Sequence, residues 1–343
     1  MWLKTKSIIR KGLIVDFVAN NAIVLTETVL EKKFVELFGL LCKDPTNSHR
    51  LLDEYIRAEN EKQVGKLNTE QLISELYKLQ IFKWGGDYRN SLDKHLVSRY
   101  VKIESPSFET LISKFDTEIN EAVRGYVLNT WYDHWSSVLI EHIFKSHADV
   151  LPSVGKVKGV DFFINDIPFD LKVTYLPAEY IKDKRKEKGF PVELTYLKKK
   201  AEEAKIAFDK KAKPSDIFYE IVEKMKDRND KFCTSVLTTL KDEKLEILKE
   251  VQDNPKMLAT WLYENQGEMR FGSENRLFLV LVDTDDFNSS WKLKRNLDLL
   301  KPTILSYLDD FTNKKIADLK VEFNFKGKPQ TFTALADIIF VVK

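Results

Sequence analysis

Between residues 160 and 174 apolar and polar positions alternate in two short runs, the pattern of strands with one buried face. The segment reads Val160-Asp161-Phe162-Phe163-Ile164, then Asn165-Asp166, then Ile167-Pro168-Phe169-Asp170-Leu171-Lys172-Val173-Thr174. Asn and Asp tolerate the positive φ of a two-residue turn, so Asn165-Asp166 predicts a hairpin over about 157–175. That register pairs Ile164 with Ile167, Phe163 with Pro168, Phe162 with Phe169 and Asp161 with Asp170. Val160, Phe162, Ile164, Phe169, Leu171 and Val173 then share a buried face. Asp161, Asp170, Lys172 and Thr174 share the opposite one.

Helical spacing of apolar positions predicts helices over 29–41, 63–79 and 108–123. Asn68-Thr69-Glu70-Gln71 and Ser105-Pro106-Ser107 read as helix starts, and Trp84-Gly85-Gly86-Asp87 as a loop. A further helix is expected over about 126–147, broken by Leu151-Pro152-Ser153-Val154-Gly155. Residues 178–275 are polar and helix-prone. Residues 276–283 read Arg-Leu-Phe-Leu-Val-Leu-Val-Asp, an unbroken apolar run that fits a strand covered on both faces. Another helix is expected over about 291–311, and strands over 319–325 and 334–342 with Gly327-Lys328 as a turn.

These elements predict an α/β (α+β) fold: a mixed sheet flanked by helices, with a helical N-terminal region over 1–125. Residues 126–343 are expected to form a second domain containing a helical insertion at about 178–275. Composition agrees with a globular chain: of 343 residues, 43% are hydrophobic and 31% charged. The net charge of +2 makes no global field for nucleic acid, so any basic surface is local. The lysines between 182 and 213 suit either a solvated helical face or a DNA-backbone surface. The two cysteines, Cys42 and Cys233, have no metal-ligand spacing and read as thiols in a reducing compartment. The most apolar run, 277–282, is too short to span a membrane. Asp16, Asn20 and Asn21 interrupt the N-terminal apolar stretch, so no signal peptide is expected and the location is expected to be cytoplasmic.

The hairpin carries the candidate chemistry. Two carboxylates about 4.5 Å apart repel by roughly 3–4 kcal/mol at an effective dielectric near 20. Protonation of one, or a cation between them, relieves that, and a hard ion such as Mg²⁺ suits oxygen ligands. Lys172 projects on the same side and could face a metal, a water and a phosphate, or could form a cross-strand salt bridge. Asp166 reads as a turn residue. His134, His142 and His147 read as surface or core residues, and Asp283, Asp285 and Asp286 as a loop and helix-start cluster.

Asp161 with Asp170-Leu171-Lys172 resembles the active-site motif of the PD-(D/E)xK nuclease superfamily, the fold of most type II restriction endonucleases. The resemblance covers about 141–283. Val160 replaces the proline that names the motif. Short (D/E)xK triplets recur by chance here, and Asp318-Leu319-Lys320 is the strongest competitor; it lacks an acidic partner across a preceding hairpin. The resemblance implies a restriction-endonuclease-like core in which Asp161, Asp170 and the Leu171 carbonyl hold Mg²⁺, with Mn²⁺ able to substitute. Lys172 would orient the attacking water, and Glu141, on the preceding helix, is a further acidic candidate. Thr174 is a candidate phosphate contact. The implied reaction is hydrolysis of double-stranded DNA, most simply by a sequence-specific restriction enzyme. A structure-specific or repair nuclease, or an inactive nuclease fold that binds DNA, are the alternatives. Implied partners are duplex DNA, a second copy in a homodimer, and a cognate DNA methyltransferase acting on the same site.

Overall fold

The computed structural model describes residues 1–82, 92–102, 107–265, 274–325 and 327–343. In chain order its first elements are α1 (Trp2–Ser7), α2 (Lys11–Asn20), α3 (Leu30–Leu41), α4 (Pro45–Val64), α5 (Thr69–Tyr77), α6 (Leu92–Leu96), α7 (Phe108–Lys114) and α8 (Asn120–Lys145). Strands β1 (Val150–Val157), β2 (Val160–Ile164) and β3 (Ile167–Tyr175) follow. The crossover contains α9 (Ala178–Glu187), α10 (Glu193–Glu203), α11 (Pro214–Arg228), α12 (Lys231–Asp253) and α13 (Pro255–Glu264). The chain closes with β4 (Arg276–Val282), α14 (Leu297–Phe311), α15 (Ile316–Leu319), β5 (Lys320–Asn324) and β6 (Thr331–Val342).

The fold is mixed α and β, as expected. The strand order is β1-β2-β3-β4-β6-β5. β1, β2 and β3 are an antiparallel meander, β4 and β6 are parallel, and β5 is antiparallel to β6. Two compact units divide the chain: Met1–Leu171 with Asn288–Asn313, and Lys172–Phe287 with Lys314–Lys343. The division falls within β3, not near residue 125 as the sequence suggested.

In the first unit, α1–α4 are not a separate domain. Ile8, Phe17, Leu37 and Ile56 share a core with Leu151, Val154 and Phe163 of the meander. An amphipathic stripe must be buried somewhere, and here one sheet face takes it. The other face meets α8 and α14: the Phe144 ring stacks on Phe162 at 5.1 Å, and Phe311 meets Phe169 edge-on at 5.8 Å.

Several local expectations changed. The segment at 151–155 does lie beyond the α8 terminus, but it is strand β1, pairing Val150 with Ile164 and Pro152 with Phe162. Pro152 is tolerated because β1 is at the edge of the sheet, where a missing N–H costs little. The helix expected over 63–79 is two helices, parted after Val64, and Asn68 caps α5 by accepting the Gln71 amide at 3.0 Å. The helix expected over 108–123 runs through a π-helical turn, Phe115–Ile119, into α8. Ser107 caps α7 through the Thr110 amide at 3.3 Å. Ser105, Pro106 and the Trp84–Asp87 loop lie outside the described residues. The helix expected over 291–311 is a 3₁₀ segment, Phe287–Arg295, followed by α14 with Asn296 as its cap.

In the second unit every residue of β4 is buried, which its unbroken apolar run predicted. Tyr180, Ile247 and Leu258 of the crossover helices share a core with Phe278, Val280 and Ala336. α10, α11 and part of α12 form a second small core around Leu197, Ile221 and Met225. Gly327 takes φ of 81°, which suits its turn position between β5 and β6.

Candidate active site

The hairpin turn forms as its residues demand. Asn165 and Asp166 have φ of 49° and 64°, and the register pairs Ile164 with Ile167, Phe163 with Pro168 and Phe162 with Phe169. The tip is also tied to the N-terminal helices. Lys4 of α1, only 2% exposed, sits 2.5 Å from Asp166 and 2.7 Å from Asp53. The bond from the Lys4 ammonium holds the Asp166 carboxyl below its ordinary pKa. Asp166 is therefore a turn residue with an ion partner 162 positions earlier in the chain, a pairing no local pattern announces.

Beyond Phe162 and Phe169 the ladder departs from the simple register. In a continued antiparallel ladder the Leu171 amide would donate to the Val160 carbonyl. It donates instead to Asp161 Oδ2, at 2.8 Å. The paired register ends at Phe162 and Phe169 and does not extend to Asp161 and Asp170. The Asp161 carboxylate reaches across to the β3 backbone, immediately after Asp170, and an amide donor offsets part of its charge. Alternation fails at the same place: Val160 joins Phe163 in the N-terminal core and does not lie with Phe162. The face assigned to Asp161 and Asp170 is also less polar than expected, because Phe163 on it is buried, at 3% exposure.

Asp170 is 5% exposed and Leu171 8%. Lys172 follows two residues beyond Asp170 on the same strand and is half-buried. Thr174 is half-buried, and its hydroxyl donates to the Tyr175 carbonyl at 3.4 Å. Glu141 pairs with Lys145 one turn along α8, at 2.8 Å. No three His, Cys, Asp or Glu side chains converge as a metal group among the described residues, so Glu141 is not gathered with Asp161 and Asp170.

The other candidates fall where structure needs them. His134 lies against the Trp135 ring, at 5.1 Å. His142 is partly buried; that burial, with the Lys301 and Lys145 charges, lowers its pKa. His147 Nε2 is 3.0 Å from Asp309. Asp283 accepts the amides of Asp285 and Asp286 at 3.1 and 3.4 Å, which makes it a loop organiser. In the competing triplet, Asp318 accepts the Lys315 amide at 3.3 Å at the start of α15, and Lys320 pairs with Glu322 at 2.8 Å. Both ends of that triplet have local structural partners.

The donor set at 161–171 suits a hard divalent ion. Mg²⁺ is commonly held by one or two carboxylates, with waters and substrate phosphate completing six oxygens. A carboxylate offers about four lone-pair sites, and the Leu171 amide takes one of those on Asp161. Asp161, Asp170 and the Leu171 carbonyl are the residues that would hold such an ion. No family model, curated protein or solved structure matches this chain.

Proposed function

We propose that this protein is a divalent-metal-dependent endonuclease that hydrolyses phosphodiester bonds in double-stranded DNA, of the restriction type. One observation carries the reading. The Leu171 amide bonds to the Asp161 carboxylate, which brings that carboxylate to the segment between Asp170 and Lys172. The Asp161 carboxylate thereby lies against the backbone amide that joins Asp170 to Leu171, ten residues along the chain. The element order supports the same reading: a long helix, an antiparallel meander, a helical crossover, then a fully buried strand.

In this reading Asp161 and Asp170 supply anionic oxygens at the hairpin, and the Leu171 carbonyl supplies a neutral one. When bound, Mg²⁺ or Mn²⁺ supplies positive charge to the scissile phosphate and acidifies water. Lys172 donates to the attacking water or to a phosphate oxygen, offsetting the charge that builds there. Water adds at phosphorus, the bond to the leaving oxygen breaks, the proton of the water passes to solvent, and the leaving oxygen takes a proton from solvent. Burial of Asp170 keeps bulk water away and strengthens these interactions.

The test is cleavage of varied plasmid and linear DNAs with Mg²⁺. Wild-type protein should cut and produce fixed fragments, chelation should stop it, and restored Mg²⁺ should restart it. Asp170→Ala and Lys172→Ala should each lower the rate by at least about a hundredfold. Undiminished cutting by Asp170→Ala would overturn the assignment.

A further inference from the structure

Helices α10 and α11 bury their apolar stripes on one another and on α12, through Leu197, Ala201, Ile217, Ile221, Met225 and Val236. What their connection turns outward is charge. Residues 193–214 hold seven lysines and four carboxylates, a larger excess of positive charge than the net +2 of the whole chain. The carboxylates are all engaged. Glu193 pairs with Lys244 at 3.1 Å, Glu202 with Lys210 at 3.1 Å, and Glu203 with Lys200 at 2.7 Å. Asp209 accepts the Lys211 amide at 2.9 Å. Lys199, Lys205, Lys211 and Lys213 are exposed and have no carboxylate partner among the described residues. Three of these four lie in the one connection between α10 and α11.

Unneutralised cations along one connection add to a local positive potential, which a polyanion offsets. Lysine ammonium groups act as point charges toward phosphate and carry little base specificity. We infer that the α10–α11 connection is a DNA-backbone grip, holding duplex phosphates without reading bases. The choice of DNA as the polyanion rests on the nuclease reading above. An anionic membrane fits less well, because surface binding by a helix needs an apolar face to insert, and the stripes of α10 and α11 are spent in their own core.

The experiment measures binding of the full-length protein to a labelled duplex in EDTA, by fluorescence anisotropy across a salt series. K199Q/K205Q/K211Q/K213Q should weaken binding at least about tenfold at low salt, and lower the slope of log Kd against log salt by roughly 2–4, near 0.9 per phosphate contact. The matching four-arginine variant should bind as wild type does. A scattered set, K43Q/K66Q/K249Q/K328Q, should lose clearly less. Circular dichroism checks that each variant is folded. An unchanged slope, an equal loss from the scattered set, or tighter binding to phosphatidylserine vesicles than to DNA each overturns the inference. Wild-type protein that binds DNA through these lysines but never cuts it with Mg²⁺ sinks the nuclease reading and leaves the grip standing. Cutting without lysine dependence does the reverse.

Discussion

Asp161 has a structural task, and the proposed function gives it a chemical one as well. Its carboxylate accepts the Leu171 amide, and Leu171 is buried. Asp161→Ala leaves that amide without an acceptor, at a cost of about 1–3 kcal/mol. Asp161→Asn keeps an oxygen that can accept it, so urea denaturation should put it within about 1 kcal/mol of wild type. Under the proposed function both should abolish Mg²⁺-dependent cleavage, since neither brings the negative charge. Equal destabilisation by the two would mean that the bond to Leu171 contributes nothing. Asp166 makes stability depend on acid. Its carboxyl is held below the ordinary range by Lys4, so the folded chain binds fewer protons there than the unfolded one. The stabilisation is complete above the unfolded-state value near 3.9 and is lost as pH falls through the lower folded value. Asp166→Asn should therefore flatten the acid limb of a stability-against-pH curve below about pH 4 and leave its shape near neutrality unchanged.

At the scale of elements, β1 is the informative case. Its Pro and Gly resemble a helix breaker in sequence, yet the strand uses both. Pro152 sits at the sheet edge, and Gly155 lets α1 approach. A Cβ at Gly155 would stand 1.9 Å from the Ser7 carbonyl oxygen. Gly155→Ala should force β1 and α1 apart at a cost of about 1–3 kcal/mol, read as a lower thermal midpoint. An unchanged midpoint would mean that α1 is loosely held. The β2–β3 turn was legible because Asn165-Asp166 specifies positive φ locally. The breakdown of the ladder at Asp161 was not, because alternation assumes that backbone carbonyls, and not side chains, accept every ladder bond. Helix boundaries such as the parting of α4 from α5 blurred because apolar spacing continues across the gap.

For the whole molecule, the burial of Leu151, Val154 and Phe163 against α1–α4 has a direct consequence. A truncated chain of residues 126–343, the domain drawn from the sequence, exposes that meander face. It should be insoluble or bind a hydrophobic dye strongly, whereas the full chain should not. A soluble, cooperatively unfolding 126–343 fragment would contradict the shared core. No helix among the described residues is long and apolar enough to cross a membrane.

The amino-acid order alone determined the hairpin, its turn and register through Phe162 and Phe169, the buried β4 and the mixed sheet. Those features follow from local rules of turn geometry and apolar periodicity, which act over a few residues. Tertiary structure decided which sheet face the N-terminal helices cover, that Lys4 holds the hairpin tip, and that Asp161 bonds the Leu171 amide. Each of those depends on groups from distant elements, or from two strands, competing for one donor or one surface. Such competition is resolved by packing in space and leaves no period in the sequence.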